Sequence, residues 1–117
     1  MNEYLSKATE RDAEYRVNTV MPSYTFHAKV RVYPGAAAWR FVLLPFDMSQ
    51  EIRLHLKHEE QGWGRLKATA EIGTTRWETA IWFDTKHAAY MLPVKASVRK
   101  KEGIADGGEV EVKIYLG

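Results

Sequence analysis

The chain contains no cysteine. Disulfides, thiolate chemistry and cysteine-based zinc sites are excluded, and a reducing, cytoplasmic location is expected. Long apolar runs are missing too. Nothing approaches the roughly 20 residues of a membrane-spanning helix, so no membrane association is expected. The polar start, Met1 to Asp12, carries both charge signs and does not have the form of a signal peptide. Charge of one sign is also scarce. Lys and Arg total 17 against 15 for Asp and Glu, a formal net charge of +2, which is too small to argue for a nucleic-acid partner by itself. No glycine-rich segment has phosphate-loop form. Gly62-Trp63-Gly64 and Gly107-Gly108 lack the Lys-Ser/Thr continuation that grips phosphate, and read as turns.

What remains is an ordinary globular composition of 117 residues, 45% hydrophobic and 27% charged. That is one domain, long enough to bury a core without metal or disulfide staples. Residues 1–23 read as an N-terminal arm, partly helical or flexible, and residues 24–117 as the folded domain. Tyr24 to Tyr33 alternates apolar and polar residues, the period of a half-buried strand. Trp39 to Leu44 is a more buried strand stopped by Pro45. Ser49 is placed to cap a helix over about 50–60, with Ile52 and Leu56 on its apolar face and Leu54 off it.

Arg65 to Ile72 and Arg76 to Phe83 alternate again around a Gly73-Thr74-Thr75 turn, so a hairpin is expected. A strand over 88–92 follows. Pro93 suits the first position of a helix over 94–101, which Gly103 would end. A last strand over 109–116 buries Val110, Val112, Ile114 and Leu116. The expectation is a mainly β protein: a small closed or partly open barrel of about six strands with two short helices.

Several segments resemble a bacterial family of small β-barrel domains of unknown function, sometimes fused to a helical domain of the bacteriocin-protection type. The matching residues are Trp39-Arg-Phe-Val-Leu-Leu-Pro45, Gly64-Arg-Leu-Lys-Ala-Thr-Ala-Glu-Ile-Gly73, Trp77-Glu-Thr-Ala-Ile-Trp82, Tyr90-Met-Leu-Pro-Val-Lys-Ala-Ser-Val-Arg-Lys100 and Gly103-Ile-Ala-Asp-Gly-Gly-Glu-Val110. The resemblance implies a barrel and no established activity. Leu92-Pro93, Arg99, Gly103-Ile104 and Gly107 also resemble the closing element of swapped-hairpin transition-state regulators and antitoxins, which bind DNA as dimers. The Asp that follows the second Gly in that pattern is Gly108 here, with Asp106 two residues earlier.

Candidate chemistry is thin. His55, His58 and Glu59 have helical spacing for metal ligation, but Lys57 and Glu60 make an ordinary polar face, so no metal is expected. Asp84 and His87 can pair locally within a stretch of common turn composition. No nucleophile, base and acid present themselves as a set. Neither catalytic residues nor a cofactor are expected.

The aromatic supply is the stronger lead. Trp77 and Trp82 are an odd number apart on one strand and must face opposite sides. One of them lies outside the core or lines a cleft. Trp39, Trp63, Trp77, Trp82 and Tyr90 are the candidate lining of a small-ligand pocket; the competing reading is core packing with a helical lid. Lys95, Arg99, Lys100 and Lys101 are a candidate contact for an anion or partner; the competing reading is a helix C-terminus carrying cations that suit its dipole. The expected role is a non-enzymatic binding or interaction module of unknown partner, with a protein partner or self-association among the candidates. The alternatives are a nucleic-acid-binding barrel using helix 94–101 and a small-ligand barrel with an aromatic pocket.

Overall fold

The computed structural model describes residues 22–35 and 39–117. The expected N-terminal arm falls almost wholly outside them. Seven strands, all paired antiparallel, form one sheet: β1 (Ser23–Lys29), β2 (Arg31–Val32), β3 (Arg40–Leu43), β4 (Arg65–Ile72), β5 (Thr75–Asp84), β6 (Ala89–Pro93) and β7 (Glu109–Leu116). The helices are α1 (Phe46–Leu56) and α2 (Ala96–Glu102). Short 3-10 turns occupy Lys57–Glu59 and Gly62–Gly64.

The spatial order is β1-β7-β4-β5-β6-β3-β2. β1 and β2 therefore lie at opposite ends of the sheet, yet only Val30 separates them in the chain. The sheet must curl until its two ends nearly meet. The expected first strand over 24–33 is thus two strands on different partners, β7 for the first half and β3 for the second. Val30 is the pivot: it is buried, its N–H donates to the Gly108 carbonyl at 2.9 Å, and its carbonyl accepts from Gly107 N–H at 2.8 Å. The price of the bend is a loss of alternation beyond it, and Val32 is exposed rather than buried.

The inside of the curl is filled by one face of each main strand. Ala68, Ala70 and Ile72 of β4, Trp77 and Ile81 of β5, Leu92 of β6, and Val112, Ile114 and Leu116 of β7 form a continuous core. These are the alternate positions that period-two patterning marks. The two helices cover opposite ends of it. Ile52 of α1, fully buried, packs with Met48 and Leu56 at the end where β5 finishes. Val98 of α2 does the same where β5 begins, and Glu102 accepts from the Thr74 and Thr75 hydroxyls of the β4–β5 turn. Truncating Ile52 to Ala would cost about 2–5 kcal/mol through lost burial and a cavity.

Two expected helix starts are corrected. α1 begins at Phe46, four residues before Gln50, with Pro45 at its N-cap. Ser49 is inside the first turn and fully buried; its N–H donates to the Pro45 carbonyl, and its hydroxyl accepts from Tyr90 N–H at 3.0 Å. A residue chosen as a local cap instead satisfies a strand 41 positions away. Pro93 is the last residue of β6, not the first of α2, whose N-cap is Lys95. Gly103 does end α2, in the left-handed conformation at φ 65° that glycine adopts without a Cβ clash. The β4–β5 hairpin forms as expected, but its turn is one residue shorter: Thr75 joins β5 and pairs with Ile72, which leaves Gly73-Thr74 as the loop.

Candidate functional site

The sheet carries a second, smaller apolar layer on its outer face. Cross-strand partners share a face, so the register identifies it. Trp82 pairs with Met91, Met91 with Leu43, Pro93 with Phe41, and Phe41 with Arg31. The core-facing pairs, Val42 with Leu92 and Phe83 with Tyr90, alternate with these. Phe41 and Ala89 are buried without belonging to the main core. Trp39 and Tyr33, each two residues from Phe41 or its partner Arg31, roof the Phe41 side of this layer. Tyr33 N–H donates to the Trp39 carbonyl at 2.8 Å, and the two rings stack at 5.6 Å and 7°. Phe41 meets both obliquely, with centroids 5.9 and 6.5 Å away.

An open cleft of about 340 Å³ lies against this layer. Tyr33 and Trp39 border it, Trp82, Met91 and Pro93 lie along it, and Phe83, Asp84, Thr85 and Trp63 complete it. That volume falls in the range of small-molecule sites. Three of the five candidate pocket residues, Trp39, Trp63 and Trp82, are brought together here. Trp77 and Tyr90 are buried and do not line the cleft. The parity argument for Trp77 and Trp82 is realised: one packs the core, the other borders the cleft.

Trp63 departs from the economy of the rest. It is 93% exposed, and its backbone is left-handed at φ 68°, ψ 24°. That conformation costs an L-residue roughly 1–2 kcal/mol, and an exposed ring returns almost no burial to offset it. Stability does not account for a tryptophan at this position, which borders the cleft.

The walls are braced from behind. The Arg53 guanidinium lies 3.8 Å from the Phe83 ring centroid, and Arg65 sits 5.7 Å from that of Trp82 while donating to Gln61 Oε1 at 2.8 Å. The Phe83 and Tyr90 rings meet edge-on at 5.1 Å. The Tyr90 hydroxyl donates to the Glu60 carboxylate, which lies 3.6 Å from Arg53 Nε. Burial, reinforced by the Glu60 hydrogen bond and charge, pushes the Tyr90 phenol well above its ordinary range. Tyr90 is therefore a neutral donor that fixes the floor beneath Phe83.

Asp84 marks the far end of the cleft. Its carboxylate accepts from Lys86 N–H at 3.0 Å and lies 2.6 Å from His87 Nδ1. Partial burial opposes ionisation, but the hydrogen bonds from His87 and Lys86 outweigh it and hold the carboxyl below its ordinary range. A second cleft of about 310 Å³ adjoins the first, and Tyr33 and Asp84 line both. Its other walls are Arg31, Val32, Pro34, Phe41, Lys86 and His87.

The candidate cationic set sits elsewhere, on and beside α2. Lys95, Lys100 and Lys101 are exposed. Arg99 Nε donates to the Val94 carbonyl at 2.9 Å, which ties α2 to the end of β6. Glu102 and Asp106 interrupt the group, and Asp106 holds Arg40 through two bonds of 2.9 and 3.0 Å. Among the described residues no three His, Asp or Glu side chains converge as metal ligands, and no helix is long and apolar enough to cross a membrane.

Fold and cleft together define a small antiparallel barrel domain with an aromatic recess on its outer face. The chain belongs to the family described as a domain of unknown function, DUF1905, whose sequence model matches residues 26–114. The expected membership is borne out over the curled sheet and both helices. No curated protein sequence matches the chain.

Proposed function

We propose that this domain is a non-enzymatic, cytoplasmic binding module whose outer cleft holds a small, planar, largely apolar ligand. The observation that carries the reading is Trp63, exposed and in a strained backbone conformation at the mouth of a cleft that Trp39 and Trp82 also line. Exposed aromatic rings around a concave apolar surface supply large contact area with little rotamer entropy to lose. The lack of cysteine supports the compartment. The basic group on α2 gives less support to a nucleic-acid reading, because Glu102 and Asp106 break its continuity.

Intrinsic tryptophan fluorescence tests the reading. Naphthalene- and indole-class fragments are titrated into the protein and into a Trp39→Ala variant. Saturable quenching at submillimolar concentration, weakened several-fold by the substitution, is the expected result. A linear, non-saturating response that is equal in both proteins contradicts it.

A further inference from the structure

Asp84 lies where the two clefts meet, and its carboxylate oxygens are already engaged by His87 and Lys86 N–H. The adjoining cleft presents Arg31 and the Lys86 side chain, and neither has an ion-pair partner among the described residues. Uncommitted charge beside the aromatic recess is therefore positive. Tyr33 is common to both clefts, so one molecule can cross from one to the other along its ring.

We infer that the two clefts form one bipartite site for a planar aromatic ring bearing an anionic group. The ring lies among Trp39, Trp63 and Trp82, and the anion faces Arg31 and Lys86. This rests on the small-ligand reading of the aromatic cleft and adds the charge of its occupant. Arg and Lys differ in what they bring. The guanidinium offers a planar fork that matches a carboxylate or phosphate, and the ammonium offers a mobile point charge. Aromatic contact alone would accept neutral and charged rings alike, so it is the second cleft that sets the preference. Both cations are solvent-exposed, so the preference must weaken with salt.

Three naphthalene probes separate the possibilities: naphthalene-2-carboxylate, the neutral naphthalene-2-carboxamide and the cationic naphthalen-2-ylmethylammonium. Affinities are measured by calorimetry at low and high sodium chloride, in the wild type and in an Arg31→Gln/Lys86→Gln double variant. The carboxylate is expected to bind about ten-fold tighter than the amide at low salt, a ratio worth about 1.4 kcal/mol. In the double variant the two should bind equally, with the amide's affinity unchanged, which also verifies that the variant is folded. Equal binding of carboxylate and amide by the wild type overturns the anion preference and leaves the aromatic cleft standing. Tightest binding by the ammonium overturns it in favour of Asp84. Failure of all three probes to bind at millimolar concentration overturns the bipartite site and the small-ligand reading together.

Discussion

The Trp39 indole lies parallel to the Tyr33 ring, 5.6 Å away and 7° from coplanar, across the β2–β3 connection. The pair covers Phe41 and borders the cleft. Stacked aromatic pairs are worth about 0.5–1.5 kcal/mol beyond their buried area, and Trp39 and Tyr33 remain 39% and 46% exposed. Trp39→Ala should therefore cost only about 1–2 kcal/mol of stability, while reducing ligand affinity several-fold. Denaturant titration and fluorescence titration on the same variant check both halves.

Trp63→Gly should behave in the opposite sense for stability. Glycine relieves the left-handed strain but adds roughly 0.5–1 kcal/mol of chain entropy to be lost on folding. The balance is near zero or stabilising, so the melting temperature should stay level or rise. Ligand binding should weaken. A clear drop in melting temperature would show that the exposed indole serves the fold.

Ser49→Ala removes the acceptor of the buried Tyr90 N–H. An unsatisfied buried donor costs about 1–3 kcal/mol, far above the propensity gain of Ala in a helix. Chemical denaturation should show a loss of that size, and Ser49→Thr, which keeps the hydroxyl, should recover part of it.

Acid should unfold the domain through identifiable carboxylates. The Arg40 hydrogen bond holds Asp106 below its ordinary range, and the Thr75 hydroxyl does the same for Glu102. Asp84 is lowered by His87 and Lys86 against the opposing effect of burial. A carboxylate whose folded pKa lies below its unfolded value adds full stability above the unfolded value and loses it as pH falls through the folded one. The melting temperature should thus fall below about pH 4. The Asp84→Asn/Asp106→Asn variant should start lower at neutral pH and show a shallower acid slope. Parallel slopes would count against these groups.

Much of the fold was legible because most of its strands keep period-two alternation. The β4–β5 hairpin, the β7 core face and the opposition of Trp77 and Trp82 follow from side-chain alternation alone. The break at Val30 was not legible, since it arises from sheet closure and leaves local composition unchanged. Ser49 was misassigned as a cap because a local cap and a long-range acceptor require the same residue type. The cleft was legible in part. Trp39, Trp63 and Trp82 stood out by type, but Asp84, Met91 and Pro93 join them through strand register, and Tyr33 joins through its stack on Trp39. Met91 carried a usable signal: it sits between inward-facing Tyr90 and Leu92 and so must face outward.

The four tryptophans provide an internal control for the central claim. Each indole N–H gives its own signal in a proton–nitrogen correlation spectrum. On titration with naphthalene-2-carboxylate, the signals of Trp39, Trp63 and Trp82 should shift together along one saturation curve, and that of core-buried Trp77 should stay in place. Shifts confined to Trp77, or equal at all four, or absent at millimolar probe, would contradict the assignment of the outer cleft as the binding site.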